Sequence, residues 1–267
     1  MTRTPLRVGI AGVGLLGPGL ADWARAVPLL RTPSDWTGSS TVVPAPDRLP
    51  PTERRRASVA VKAAVVVADQ ASAMAGADAA SVATVFTSAS GDPAICHAMC
   101  EALAKPERVV SPTRFTNSVH NAPAGYWHIA VQSRRASTSL AAYDASANAG
   151  LLEAAVQCAA MHAPVLLVAA DMPYPEPLHA LRPLPDVFAF ALWLVPERVP
   201  APWHVQMAVT TDGAAARCDG DGLESLRRAI PAARVLPLLQ AMARNQSCAM
   251  RIEAGGLDLA LQLRAGA

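Results

Sequence analysis

The stretch that decides the fold covers residues 138–172 and reads TSLAAYDASANAGLLEAAVQCAAMHAPVLLVAADM. Its pattern predicts a short strand at 140–143, a sharp turn, and a helix over 149–161 whose small apolar side chains suit burial within protein. Residues 165–170 form a continuous apolar run, which is typical of a strand covered on both faces. The stretch therefore predicts a strand, turn, helix and strand at the centre of an α/β domain.

The turn of this unit carries Asp144. A residue at such a turn lies near the N-terminus of the helix, which is a common place for a nucleophile in enzymes. Helix starts also prefer oxygen acceptors and negative charge. The sequence therefore favours Asp144 as an N-cap over Asp144 as a chemical base.

The composition of the 267 residues points to one class of protein. They are 52% hydrophobic and 16% charged, yet no apolar run reaches the ~20 residues that would span a bilayer. No segment has the pattern of a signal peptide, and a net charge of +2 gives no reason to expect nucleic acid as a partner. Five scattered cysteines favour reduced thiols. We expect a soluble cytoplasmic α/β protein with no membrane span.

Other patterns give the order of elements along the chain. Strands are predicted at 6–11, 82–87, 187–195 and 204–210, and helices at 23–30, 57–79 and 93–104. Residues 105–115 read as an extended connection, 223–244 as one or two helices interrupted by prolines, and 250–263 as a hairpin. Since no internal repeat or composition shift is visible, residues 1–267 are expected to form a single domain.

Two motifs invite a cofactor or a metal. Gly12, Gly14 and Gly17 form a G-x-G-x-x-G, the pattern of a dinucleotide site, but no strand ending in an acidic residue follows about 20 residues later. A tight strand-to-helix turn is therefore favoured over a cofactor site. Cys96 and Cys100 share a helix face, but zinc would need two further ligands, so buried thiols are favoured and no metal is expected.

Four segments, taken in order, resemble the β-ketoacyl synthases of the thiolase fold. They are RVGIAGVGLLGPG at 7–19, VFTSASGD at 85–92, SPTRFTNSVHNAPAGYWHIA at 111–130 and the stretch at 137–171. The last of these is similar to the strand, nucleophile elbow, helix and strand of the family. The resemblance covers about residues 6–210. It implies a thiolase-like, layered α-β-α domain with a mainly first-lobe core, and a truncated second lobe that leaves 211–267 as a reduced C-terminal portion.

The chain departs from the family where the chemistry occurs. Without gaps, Asp144 falls where the synthases have their nucleophilic cysteine, and Ser146 falls on the following serine. An acyl-aspartate would be a short-lived mixed anhydride, and Ser146 has no evident base. None of the six histidines lies in the sequence contexts of the family's catalytic pair. The resemblance therefore implies a protein without independent condensing activity.

Among such proteins, residues 115–127 look most like the short chain-length factors that accompany aryl-polyene and xanthomonadin-type ketosynthases. The resemblance implies a heterodimer with a β-ketoacyl synthase, an acyl tunnel that this chain helps to shape, and an acyl carrier protein that delivers the chain through the partner. The candidate interface or tunnel residues are Asn117, His120, Asn121, Tyr126 and Trp127.

Two functions of other classes stay open at this point. One is a stand-alone acyl-thioester hydrolase that would use His120 or Asp144; the G-x-S-x-G of the usual hydrolase elbow is not formed by Ser88 or Ser90. The other is a nicotinamide-dependent oxidoreductase built on the glycine motif at 12–17.

Overall fold

The computed structural model describes residues 5–266, within which the chain forms eight strands and ten α-helices. The strands are β1 Leu6–Leu16, β2 Ala83–Thr87, β3 Ser137–Leu140, β4 Val165–Asp171, β5 Phe188–Pro196, β6 Trp203–Thr210, β7 Cys248–Glu253 and β8 Asp258–Ala265. The helices are α1 Trp23–Arg31, α2 Pro51–Arg56, α3 Val59–Ala75, α4 Pro93–Ala104, α5 Pro112–Asn117, α6 Ala122–Val131, α7 Ser146–Met161, α8 Leu178–Leu181, α9 Asp221–Ala229 and α10 Leu236–Ala243.

All eight strands belong to one sheet, in the order β3-β2-β4-β5-β1-β6-β8-β7. Strand β2 runs parallel to both β3 and β4, and every other neighbouring pair is antiparallel. Every residue of β4 and β5 is buried, as the continuous apolar runs predict. The C-terminal strands β6, β8 and β7 extend this same sheet.

Helices cover both faces of the sheet and enclose two hydrophobic cores. Helices α3 and α6 pack on one face, and α1, α7 and α10 pack on the other. Helix α7 approaches the sheet closely because its inner face is made of small residues; a Cβ at Gly150 would lie 2.6 Å from a methyl group of Thr87. The expected layered α-β-α arrangement is confirmed.

Gly12 and Gly14 lie within a strand and Gly17 directly follows it, so the strand-to-helix turn predicted over the whole motif is wrong. Strand β1 continues through a bulge between Ile10 and Gly12 and ends at Leu16. A Cβ at Gly12 would lie 2.1 Å from the carbonyl oxygen of Ala71, and one at Gly14 would lie 1.9 Å from that of Val67. The glycines therefore allow β1 to touch the backbone of α3 and do not form a loop that could cradle a phosphate.

Other boundaries also differ from expectation. The predicted strand at 140–143 ends earlier, because β3 covers Ser137–Leu140, and the connection at 105–115 includes the start of α5. The region 223–244 divides into α9, a 3₁₀ segment at Pro231–Val235 and α10, as the two prolines indicate. The closing hairpin is formed by β7 and β8.

We expect Gly14→Ala to cost more than the ~1–3 kcal/mol typical of overpacking, because the new methyl group meets a helix backbone that cannot rotate away. The matched control is Gly125→Ala in α6, where a Cβ would meet no atom within 4 Å. Alanine there should be neutral or stabilise the protein by up to about 1 kcal/mol. Urea unfolding of both variants measures the difference, and equal stabilities would contradict the assigned role of Gly14.

Candidate functional site

The elbow between β3 and α7 keeps the form expected of a nucleophile turn, and Ser146 closes it. Tyr143 adopts a left-handed conformation with φ of 51°, and α7 begins at Ser146. The Ser146 hydroxyl accepts a hydrogen bond from the Ala142 N–H at 2.9 Å and donates one to the Tyr143 carbonyl at 2.6 Å. Since this hydroxyl is buried and already both donates and accepts, its role in the structure is to hold the turn.

Asp144 is not the N-cap of α7, so that expectation is wrong. The capping position belongs to Ala145, which has no side chain that can cap. The carboxylate of Asp144 instead binds two arginines, accepting from Arg182 at 2.7 Å on one oxygen and from Arg234 at 3.1 Å on the other. The carboxylate expected at the nucleophile position is thus held by two cations.

Two tyrosines complete the surroundings of this ion-pair cluster. The guanidinium of Arg182 stacks 4.0 Å above the ring centre of Tyr143 and lies 5.7 Å from that of Tyr174. Burial raises the pKa of Tyr174, while the positive charge of Arg182 acts in the opposite direction. Tyr174 is therefore a neutral phenol at physiological pH.

The buried carboxylate of Asp171 connects the elbow region to the rest of the domain. It was not among the site residues predicted from the sequence. One oxygen accepts from the backbone N–H groups of Ala89 and Ser90 at 2.7 and 3.0 Å, and from the hydroxyls of Ser88 and Ser90. The other accepts from the N–H of Ala232 at 2.8 Å. An acidic residue at the end of an otherwise apolar strand was the available signal, because a buried charge needs partners.

A cavity lies between α3, β2, β4 and the start of α6. A water-sized molecule could occupy only about 30 Å³ of it, and its lining is mostly apolar, with Val61, Phe86 and Val168 among the side chains. Asn117 and His120, both predicted site residues, line the same cavity. Its apolar walls suit a nonpolar group rather than a charged one.

The predicted site residues divide between the cavity and the core. The Asn117 side chain donates to the carbonyl of Arg56 at 3.0 Å and accepts from the hydroxyl of Tyr126 at 3.0 Å. Tyr126 and Trp127 are buried core residues, whereas Asn121 is exposed and does not line the cavity. The structure therefore brings Asn117, Tyr126 and His120 to one region and places Asn121 outside it.

The histidines lie away from the pocket at the elbow. None of the six histidines, all of which lie in the described residues, lines the pocket around Asp144. His120 is exposed, and its Nε2 lies 3.3 Å from the carbonyl oxygen of Ser88. Half-buried His128 contacts the Thr84 hydroxyl at 3.2 Å, and burial lowers its pKa.

The five cysteines are free thiols, of which two are exposed, two are buried and Cys248 is half-buried. Cys96 and Cys100 on α4 are exposed, so the expectation that they are buried is wrong. Burial raises the pKa of Cys158 to about 11 and that of Cys218 to about 12, which makes both unreactive. Across residues 5–266, no three His, Cys, Asp or Glu side chains converge as a metal ion would require.

No helix among the described residues is both long and apolar enough to cross a bilayer.

A layered α-β-α domain with a nucleophile-type elbow before a buried helix is the architecture of the thiolase-like condensing enzymes. The profile of the β-ketoacyl synthase N-terminal domain matches residues 30–254. The chain belongs to this family.

Several solved structures share the fold. The ketosynthase ApeO in complex with its chain length factor ApeC, from Xenorhabdus doucetiae, gives a TM-score of 0.73 at 21% identity, covering 96% of this chain and 99% of that chain. The ishigamide ketosynthase/chain length factor gives 0.68 at 14% identity, covering 97% and 99%. The type II polyketide complex AntDE:AntF, an acyl-carrier protein with its ketosynthase, gives 0.74 at 12% identity, covering 98% and 100%. No curated protein sequence matches the chain.

We expect Asp171→Asn to lower the free energy of unfolding by at least about 2–4 kcal/mol, because an amide NH₂ would face donors that now bind a carboxylate oxygen. The control is Asp47→Asn, whose side chain is 98% exposed and whose replacement should change stability by no more than about 0.5 kcal/mol. Chemical denaturation provides the comparison. A similarly small effect for both variants would show that Asp171 does not hold its loop.

Proposed function

We propose that this chain is a non-catalytic partner of a β-ketoacyl synthase, a subunit like a chain length factor that shapes the acyl tunnel of a heterodimer. The single observation that carries the proposal is the pairing of Asp144 with Arg182 and Arg234 at the position of the family's nucleophile. A carboxylate held by two arginines is a weak nucleophile, and the anhydride it could form would not serve as an acyl carrier. The elbow therefore supports a structural role.

The neighbouring groups support the same conclusion. A serine nucleophile needs a base within about 3 Å, but the Ser146 hydroxyl already donates to the Tyr143 carbonyl. The elbow pocket is lined by arginines, which stay protonated and cannot accept a proton. Neither a hydrolase using Asp144 nor a condensing enzyme gains support from this geometry.

A surface for the partner is available beside the cavity. Helix α4 is rich in apolar residues, yet only Pro93 is buried. Four large apolar side chains between α4 and α6 are exposed by half or more: Leu103, Val109, Phe115 and Val119. Exposed apolar side chains concentrated in one segment are typical of a protein interface. We call this segment, residues 93–119, the α4–α5 surface.

The edge of the sheet offers a second element of the same interface. Strand β3 is one of the two edge strands, and within residues 5–266 it pairs with β2 alone, so its other edge carries unpaired backbone groups. Proteins normally cover or pair such an edge. A partner that binds β3 and the α4–α5 surface would bury both features.

The cavity explains what such a partner would gain. Val119 and His120 lie at the end of the α4–α5 surface and also line the cavity. A subunit bound there would cover the opening, and its own acyl channel could end against these apolar walls. Phe86 and Val168 would then limit how far the acyl chain reaches.

The wider setting is part of the same proposal. Polyene, polyketide or fatty-acid-type biosynthesis uses carrier-bound acyl chains, and an acyl carrier protein would deliver them through the ketosynthase. Complexes of ketosynthases with chain length factors, and one with a carrier protein, are among the structures that share this fold. Five free thiols are compatible with the reducing cytoplasm as the compartment.

We expect this chain to co-elute with the β-ketoacyl synthase encoded nearest to it when the two are co-expressed and separated by size-exclusion chromatography. Phe115→Glu should abolish co-elution, because it places a charge on the α4–α5 surface, where Phe115 is 64% exposed. The matched control is Val199→Glu, at an exposed apolar position in the connection between β5 and β6. This connection lies at the N-terminal end of β4, whereas the α4–α5 surface follows the C-terminal end of the parallel strand β2. Val199→Glu should leave the complex intact.

Two results would overturn the proposal. One is a wild-type chain that stays separate from the ketosynthase; the other is a purified chain that hydrolyses acyl thioesters by itself. Circular dichroism of Phe115→Glu confirms folding, so that a lost complex reports on the interface alone.

A further inference from the structure

The pocket beside the elbow carries an excess of positive charge that the proposed partner role does not require. It has a volume of about 470 Å³ including open space, and three arginines line it together with Asp144: Arg182, Arg228 and Arg234. We propose that this pocket binds the phosphate group of an organic phosphate ester.

The charges of the pocket leave it positive. Three guanidinium groups face one carboxylate, which gives a net charge of +2. Arg182 and Arg234 each give Asp144 a hydrogen bond from one terminal nitrogen, so each keeps further N–H donors. Among residues 5–266, Arg228 has no acidic partner, and it is exposed at the pocket. A phosphate dianion would neutralise the excess.

The donors are held in place before any ligand arrives. Asp144 bridges Arg182 to Arg234, and Arg182 is stacked on Tyr143. The segment that carries Arg234 is anchored by the hydrogen bond from the Ala232 N–H to buried Asp171. Since these side chains are already ordered, binding an anion would cost little additional conformational entropy.

The arginine donors and the apolar rim of the pocket together indicate which kind of ligand it would bind. The planar fork of arginine matches the oxygens of a phosphate in a bidentate manner. The rim carries exposed apolar side chains, with Tyr143 68% exposed and Leu181 84% exposed. A phosphate attached to an apolar organic group would use both parts of the site, whereas inorganic phosphate would use only the arginines.

Isothermal titration of the full chain with phenyl phosphate and with inorganic phosphate tests the proposal. We expect phenyl phosphate to bind more tightly than inorganic phosphate. Arg228→Gln should weaken phenyl phosphate binding about tenfold, the loss expected for one charge-assisted hydrogen bond. Arg228 is exposed and unpaired, so this variant should fold normally. The control with the same change in charge is Arg55→Gln, an exposed arginine in α2 that does not line the pocket; it should bind like the wild type.

Three results would overturn the proposal: no binding of phenyl phosphate at millimolar concentration, equal binding of the two phosphates, or equal losses in Arg228→Gln and Arg55→Gln. The titration requires no ketosynthase. Its outcome is therefore independent of whether the heterodimer forms.

Discussion

The buried carboxylate of Asp171 is the contact on which both sides of the domain depend. It lies at the end of the central strand β4 and gathers hydrogen bonds from the loop after β2 and from Ala232 in the 3₁₀ segment before α10. The loop after β2 borders the apolar cavity, and the 3₁₀ segment carries Arg234 of the elbow pocket. A charge that is almost fully buried must be satisfied by such donors, so the two regions are held at a set distance from one another.

In the elbow, the residues that shape the backbone turn are not the residue that carries the charge. The turn before α7 keeps a left-handed residue at Tyr143 and a serine that closes the turn, both of which depend on local backbone requirements. The same turn carries Asp144, whose carboxylate binds two arginines from distant parts of the chain. The forces that shape the turn are therefore separate from those that would activate a nucleophile.

The central strands and the buried helix could be predicted from the sequence because their side-chain patterns reflect their own burial. The C-terminal end of β1 could not be predicted in this way. The bulge at Ala11 breaks the alternation of inward and outward side chains, so the sequence pattern of a strand ends there. The strand itself continues to Leu16 with the two faces exchanged. The roles of Asp144 and Asp171 were hidden for a different reason. Their partners Arg182, Arg234 and Ala232 are 38 to 90 residues away in the chain.

The exposure of Cys96 and Cys100 has a practical consequence. Both thiols lie on α4, within the surface proposed for the partner, whereas Cys158 and Cys218 are buried and Cys248 is half-buried. A thiol-specific alkylating reagent would therefore modify α4 ahead of the core, and a bound subunit would shield those two sulfurs from it. The extent of alkylation of Cys96 and Cys100 therefore reports whether this face of the domain is covered.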